Sequence, residues 1–247
     1  MKRKLAVFDN EFLRSSYLLN LTEKRVLWTV VSKVKHSKDL TPETWLEVSL
    51  VEFAELIGIV PKKAYFEARQ AVLSIKRKEF SLHFGKSIIV CNFFSEIMIN
   101  EDEKTIKARI SPSFIPFISE LYEKYNKMNL LECFKIRSIY TWRFYDIFRT
   151  LDGQLQHRKY PVITLSLEEL YNITQAKDSY RTFGEFNKHI IKPMVRELEF
   201  LEIARVKVSP IKKGRVTEKL KFTVIWWKFI AREIEDEINI AEMEKLG

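Results

Sequence analysis

The sequence predicts an α+β chain in which one module, read as helix, strand, helix, helix and hairpin, occurs twice. Three observations carry that prediction. Two Ser-x-x-Glu segments, Ser49 to Glu52 and Ser166 to Glu169, each open a short amphipathic helix, because the serine oxygen and the glutamate carboxylate satisfy helix-end amides reciprocally. A longer apolar-striped helix and a short alternating strand precede each of them. A further striped helix follows each and gives way to β segments separated by turns. That order is the order of a winged helix-turn-helix, so the chain is read as two tandem winged helix-turn-helix domains related by an internal pseudo-repeat.

In the first module Asn20 caps a helix, with Glu23 three residues on and Leu27, Val30, Val31 and Val34 as its stripe. Trp45 to Val48 alternates like a strand, and the Ser49 box opens a helix striped by Leu50, Phe53 and Ala54. Pro61 suits the first turn of the next helix, whose stripe is Ala68, Ala71, Val72 and Ile75. Phe80 to Phe84, Ile88 to Ile99 and Thr105 to Ile110 read as strands, with turns at Gly85-Lys86 and at Asn100 to Glu103. The second module repeats the order. Tyr140, Phe144, Ile147, Phe148 and Leu151 form the first stripe, Tyr160 to Thr164 the strand, and Leu167, Leu170 and Tyr171 the helix behind Ser166. Phe186, Ile190, Ile191, Met194 and Leu198 stripe the following helix, and Pro193 inside it predicts a lost hydrogen bond or a kink. Ile203 to Val208 and Leu220 to Trp227 read as strands on either side of the basic turn Pro210 to Arg215. Residues 121–136, almost free of Gly and Pro, are expected to be an ordered connector between domains at 1–120 and 137–247. Ile230, Ile234, Ile238 and Ala241, with acidic residues between them, predict a C-terminal acidic helix docked on the second domain.

Of 247 residues, 46% are hydrophobic and 30% charged, which suits packed cores and excludes a disordered charge-rich chain. The net charge of +9 points to a polyanionic partner. It is uneven: residues 121–230 carry 21 basic and 12 acidic side chains, residues 1–120 carry 19 and 15, and residues 231–247 carry 2 and 6. The middle-to-late segment is therefore expected to supply most of the attraction. The longest apolar runs are too short to cross a bilayer, and charges break the first nine residues before a signal-peptide core can form. Only Cys91 and Cys133 are present, in no paired motif, so a reduced cytoplasmic setting is expected and no membrane partner.

In a helix-turn-helix the second helix of the pair enters the major groove. On a helical wheel Lys188, Lys192 and Arg196 fall within about 80° of one another, facing away from the Phe186/Ile190/Met194 stripe, with Asn187 and His189 flanking the start of that face. Asn and Lys are suited to base edges, the later charges to phosphates. A solvated basic face is the plain alternative; the wing tip Lys212-Lys213-Gly214-Arg215, placed to reach the backbone or the minor groove, favours DNA, and Arg181 lies just ahead of the helix. In the first module Lys62, Lys63, Arg69 and Arg77 are the candidate contacts, with Gln70, Lys76 and Lys78 beside them. Arg69 fits an intradomain ion pair equally well, and Glu101-Asp102-Glu103 at the hairpin tip repels phosphate, so weaker DNA contact or a mixed role is expected there.

No catalytic constellation emerges. Gly85-Lys86-Ser87 has the tail of a phosphate loop, but Phe80 stands where its first Gly is required and the context is a hairpin. His36, His83, His157 and His189 are scattered without metal-ligand spacing, which also removes the paired histidines a nicking enzyme needs. Glu168-Glu169 is explained by helix capping. No enzyme, metal or cofactor is expected.

These residues resemble the plasmid replication initiator (Rep) proteins with tandem winged-helix domains that act at iteron-containing origins. The resemblance runs from about Val7 to about Val224. It rests on Asp9-Asn10 with Ser16 to Leu21, Glu23 and Arg25; on Tyr140-x-x-Arg143-x-Tyr145; on Phe186, Ile190, Pro193, Val195, Glu197 and Leu198; and on Lys213-Gly214-Arg215 followed by Lys221-Phe222. It implies binding of repeated double-stranded origin sites, opening of an adjacent AT-rich duplex, and recruitment of the host initiator ATPase and replicative helicase. It also implies a monomer–dimer equilibrium, with repression of the chain's own gene by a dimer formed through the first domain. By the same resemblance Asn187, Lys188 and His189 occupy base-reading positions, although His189 equally suits a partly buried neutral histidine. A winged-helix transcriptional regulator without initiator role is one rival reading, and a nicking initiator that cleaves one strand with a divalent metal is the other.

Overall fold

The chain begins with a buried alternation. Strand β1 (Leu5–Asp9) buries Ala6 and Phe8, and Asp9 then caps α1 (Asn10–Arg14) by accepting the Glu11 amide at 2.6 Å. The computed structural model describes residues 5–34, 40–84, 87–119, 125–156 and 160–230. After β2 (Ser16–Tyr17), helix α2 (Leu21–Val31) starts at the predicted capping box: Asn20 accepts the Glu23 amide at 2.9 Å and the Glu23 carboxylate accepts the Asn20 amide at 2.6 Å. Strand β3 (Trp45–Ser49) leads into α3 (Leu50–Ile57), where Ser49 caps by accepting the Glu52 amide at 3.5 Å. Gly58 ends α3 at φ 70°, a left-handed position that glycine adopts without strain, and the chain turns into α4 (Pro61–Ile75) with Pro61 in its first turn.

Beyond α4 the structure departs from the single strand expected over Ile88 to Ile99. Four strands follow: β4 (Glu79–Phe84), β5 (Ser87–Asn92), β6 (Phe94–Asn100) and β7 (Thr105–Ile110). Phe93 and Phe94 are both fully buried. Successive residues of one strand point to opposite faces, and here the strand breaks at Phe93, between β5 and β6. The chain uses the break to change sheets: β5 lies in a sheet of order β2-β4-β5, and β6 in a sheet of order β3-β7-β6. The expected Gly85-Lys86 turn lies outside the described residues, on either side of which Phe84 pairs with Ser87.

The second half continues through α5 (Pro116–Ser119), β8 (Tyr125–Asn129), which pairs antiparallel with β1, α6 (Leu130–Cys133) and α7 (Ile139–Arg149). Strand β9 (Val162–Ser166) and α8 (Leu167–Thr174) follow, joined by a full capping box with Glu169 N–H to Ser166 Oγ at 3.1 Å and Ser166 N–H to the Glu169 carboxylate at 2.7 Å. A long helical segment then runs as α9 (Phe183–Phe186), a π-helical turn (Asn187–Ile191) and α10 (Lys192–Phe200) before β10 (Ala204–Lys213) and β11 (Val216–Trp226). The pseudo-repeat holds in topology. In both modules the strand ahead of the capped helix pairs with the last strand of the final hairpin, giving β3-β7-β6 and β9-β11-β10. The β4–β5 hairpin is an insertion in the first copy. The expected acidic C-terminal helix falls on residues 231–247, outside the described residues, although Ile230 at its start is buried.

The first helices of the two modules meet at the centre. All residues of α7 from Thr141 to Phe148 are buried, the signature of a helix enclosed on every side. Trp28 of α2 and Trp142 of α7 pack edge to face with ring centroids 5.8 Å apart. One helical turn from them, Lys24 forms an ion pair with Asp146, and neither side chain is exposed. Asp146 also accepts from Tyr17 at 3.0 Å and from Arg143 at 3.4 Å. Arg143 spends its other donors on the carbonyls of Leu13, Ser15 and Ile173, at 3.3, 2.5 and 3.1 Å, and stacks over the Tyr17 ring at 3.8 Å. One guanidinium thus holds the N-terminal turn and α8 at the same time.

One carboxylate between two cations leaves a surplus positive charge in a buried interface. Burial pushes the Lys24 ammonium down to about 7, against the attraction of Asp146, and burial likewise raises the Asp146 carboxyl. The unfolded chain holds the lysine proton up to its ordinary pKa of 10.5, so between about 7 and 10.5 the unfolded state binds more protons and stability rises with pH. Urea unfolding at about pH 7 and about pH 9 should show that rise. Lys24→Met should abolish it, because a fitted apolar side chain has no proton to release.

Candidate nucleic-acid interface

Each module presents its second helix and its hairpin tip outward. In the second, Thr182 and Glu185 form a capping box with amide bonds of 3.2 Å in each direction, and the Thr182 amide and hydroxyl hold the Glu185 carboxyl below its usual range. This fixes where the helix starts. Pro193 has no N–H to donate, and the predicted disturbance takes a definite form: ahead of it the helix widens into the π turn, with the Lys192 N–H reaching the Asn187 carbonyl five residues back. The widened turn lets Ile190 and Ile191 both enter the core. Lys188, His189, Lys192 and Arg196 are exposed, and so is Arg181 ahead of the helix. His189 stacks on Tyr180 with centroids 5.4 Å apart, so the ring is exposed and supported on one face; of its two readings, partial burial is not the one found. Asn187 is half-buried and lines, with Phe183, Ile191 and Val195, a groove of about 400 Å³ between the helix and the β10–β11 hairpin, with Lys192 and Arg196 also on its wall.

The wing is longer than the sequence indicated. Strand β10 runs to Lys213 and β11 starts at Val216, so the turn is Gly214-Arg215 alone, with Gly214 at φ 63°. β9 pairs only with Lys219 to Thr223, leaving the outer part of the hairpin unsupported by a third strand. Lys212, Lys213 and Arg215 are all exposed on that projection. Lys207, Lys219 and Lys221, which the sequence did not single out as DNA contacts, are exposed on the outward side of the same hairpin. Their signal was present in the alternation of Lys219 and Lys221 with the buried Leu220 and Phe222.

In the first module Lys62, Lys63 and Arg77 are exposed on or just beyond α4. Lys63 lies 3.7 Å from Glu67, a solvated i,i+4 pair. Arg69 takes the intradomain reading, with its Nε 3.7 Å from Glu101 of the hairpin tip. That tip is shaped by Asn100, whose side-chain oxygen accepts the amides of Asp102 and Glu103 at 3.0 and 3.1 Å, and by Lys104 at φ 51°. Among the described residues no group of three or more His, Cys, Asp or Glu side chains could hold a metal ion, and no helix is long and apolar enough to cross a membrane. His36 and His157 lie outside the described residues, and Cys91 and Cys133 are buried free thiols.

Two family models match this chain in order. The one described as "Initiator Replication protein, WH1" covers residues 5–149, and "Initiator Rep protein, WH2" covers residues 166–224. The chain belongs to the replication initiator family. Its two winged-helix domains are therefore WH1 and WH2 of an initiator. Among solved structures, the initiator is similar to the Pi initiator protein, determined in complex with iteron DNA, with a TM-score of 0.77 at 21% identity over 92% of this chain and 98% of that one. It is also similar to domains 2 and 3 of RctB, with a TM-score of 0.50 at 14% identity over 83% and 81% of the two chains. At these identities the likeness is one of fold: the tandem arrangement, and not only the single module, is shared with the Pi protein across nearly the whole of both chains.

Proposed function

We propose that this initiator binds repeated double-stranded sites in a plasmid origin, in the cytoplasm, with residues 137–247 as the main reader and residues 1–120 as a weaker DNA contact and dimerisation domain. The observation that carries this is the continuous cationic front of the second domain. Lys188, Lys192 and Arg196 stand on one exposed helix face, Arg181 precedes it, and Lys212, Lys213 and Arg215 occupy a projecting wing. Asn187, Lys188 and His189 read base edges and the remaining cations hold phosphates. Lys62, Lys63 and Arg77 make the first domain's phosphate contacts, while Arg69, turned to Glu101, contributes least. Opening of adjacent AT-rich duplex and recruitment of the host initiator ATPase and replicative helicase follow from the family resemblance. Self-association and autorepression through the first domain are supported by edge strand β5, where Ile88, Ile89 and Val90 are 59%, 50% and 55% exposed beside unpaired backbone.

Footprinting across the region flanking the gene, at physiological salt, tests the reading. Protection of several direct repeats, each about two helical turns long, is the expected result, because two reading helices enter successive major grooves. Protection of a single palindrome at the promoter and nothing else makes the protein a regulator. Within a repeat, Lys188→Ala should weaken specific binding by roughly 1–3 kcal/mol and relax base preference. Lys213→Ala should weaken all sequences alike and flatten the salt slope by about one unit. Equal losses on specific and random DNA for Lys188→Ala would remove it from the base-reading role.

A further inference from the structure

Helix α4 displays a side chain that a purely phosphate-holding helix has no use for. Phe66 is 63% exposed in the middle of the face that also exposes Lys62, Lys63, Gln70 and, just past the helix, Arg77. Counted from the helix starts at Pro61 and Phe183, Phe66 and Lys188 are both the sixth helical residue, and each stands two places after a fully buried fourth residue, Ala64 or Phe186. The pseudo-repeat therefore puts a phenylalanine in the first domain where the second domain puts its leading candidate for base reading.

We propose that Phe66 reads sequence, by packing against the 5-methyl group of a thymine in the major groove, so that the first domain discriminates bases as well as holding phosphates. This rests on the origin-binding reading above. The chemistry is narrow. The major-groove edges of the four base pairs offer hydrogen-bond donors and acceptors and one apolar group, the thymine methyl, and an aromatic side chain there has only that partner. Gln70, one turn further along the same face, carries an amide suited to adenine N6 and N7, so the two together favour an A·T-containing step. The cations around Phe66 match a phosphate-flanked groove, whereas an apolar protein partner would have to desolvate Lys62 and Lys63 to reach it.

The test uses the full chain on one repeat that it protects, with each thymine replaced singly by deoxyuridine, which removes only the methyl group. For the wild type one or two replacements, away from the part of the repeat whose preference Lys188→Ala relaxes, should lower affinity by about fourfold. Phe66→Ala should lose about tenfold on the thymine duplex and become indifferent to those replacements, with an unchanged thermal midpoint because the side chain is exposed. Phe66→Leu should keep part of the discrimination. Wild-type affinity and wild-type uracil sensitivity in Phe66→Ala would overturn the assignment, as would a loss of self-association with DNA binding intact. If the protein protects repeats in a Lys188-dependent manner while Phe66→Ala is indistinguishable from wild type, only the role of Phe66 falls. If it protects no repeat, the origin-binding reading falls and takes this one with it.

Discussion

Asp146→Ala is expected to lower the unfolding free energy by about 3–5 kcal/mol and to loosen α2 from α7. The carboxylate is the single anion in a buried cluster with Lys24, Arg143 and Tyr17, and it accepts from all three. Its removal leaves two cations facing each other between α2 and α7. Lys24 relieves part of that strain by shedding its proton, since burial already holds it near 7. Arg143 has no such release, because a guanidinium stays protonated. It keeps its bonds to the carbonyls of Leu13, Ser15 and Ile173, so its charge remains fixed in place without a counter-ion. Urea unfolding gives the magnitude, and limited proteolysis gives the loosening. Lys24→Met combined with Asp146→Leu should be milder than Asp146→Ala only by the share of Lys24, because the double variant removes one buried cation while Arg143 still lacks its counter-ion. A loss below about 1 kcal/mol for Asp146→Ala would mean that the cluster is hydrated and that the packing around Trp28 and Trp142 alone joins α2 to α7.

That cluster was only half legible in the sequence. Lys24 stands three and seven residues before Leu27 and Val31 of the predicted stripe, so a charge on that line was visible, but its partner lies on another helix far along the chain. Asp146 gave no contrast, because α7 is buried all round and has no polar face against which a charge stands out. What the sequence did carry was local: the capping boxes at Asn20 and Ser166, the helix-opening Ser49, the striped helices, and the Pro193 disturbance, whose π-helical form follows from backbone accommodation that a regular wheel does not represent. The chain's change of sheet at Phe93-Phe94 depends on which core each ring enters, and a run of apolar residues does not state that. Arg69 was ambiguous for the same reason, since its choice of Glu101 depends on how far the acidic tip folds back over α4. The exposed basic face was legible as charge, and the exposed Phe66 was not, because an apolar residue on a helix is read as core until its burial is known.

Raising salt from about 50 to about 200 mM is expected to weaken binding to a single repeat by roughly a thousandfold. Arg181, Lys188, Lys192, Arg196, Lys212, Lys213 and Arg215 are all exposed on the presented side of the second domain. If about six of the protein's cations displace counter-ions, log affinity should fall with log salt at a slope near −5. The wing is the separable part of that slope. Lys212, Lys213 and Arg215 project past the third strand, where no core residue depends on them, so the triple alanine variant should fold normally. It should flatten the slope by about three units and weaken specific and random duplexes alike, leaving the specificity ratio nearly unchanged. Lys188→Ala should do the reverse: a small change in slope and a large change in ratio. An unaltered slope in the triple variant would place the wing off the DNA, and the helix would then carry both affinity and reading. In that case the groove between helix and hairpin, lined by Phe183, Ile191 and Val195 and edged by Lys192 and Arg196, would no longer be spanned by nucleic acid on both sides. The salt slope of one triple variant therefore decides whether this domain grips the duplex between helix and wing or meets it with the helix alone.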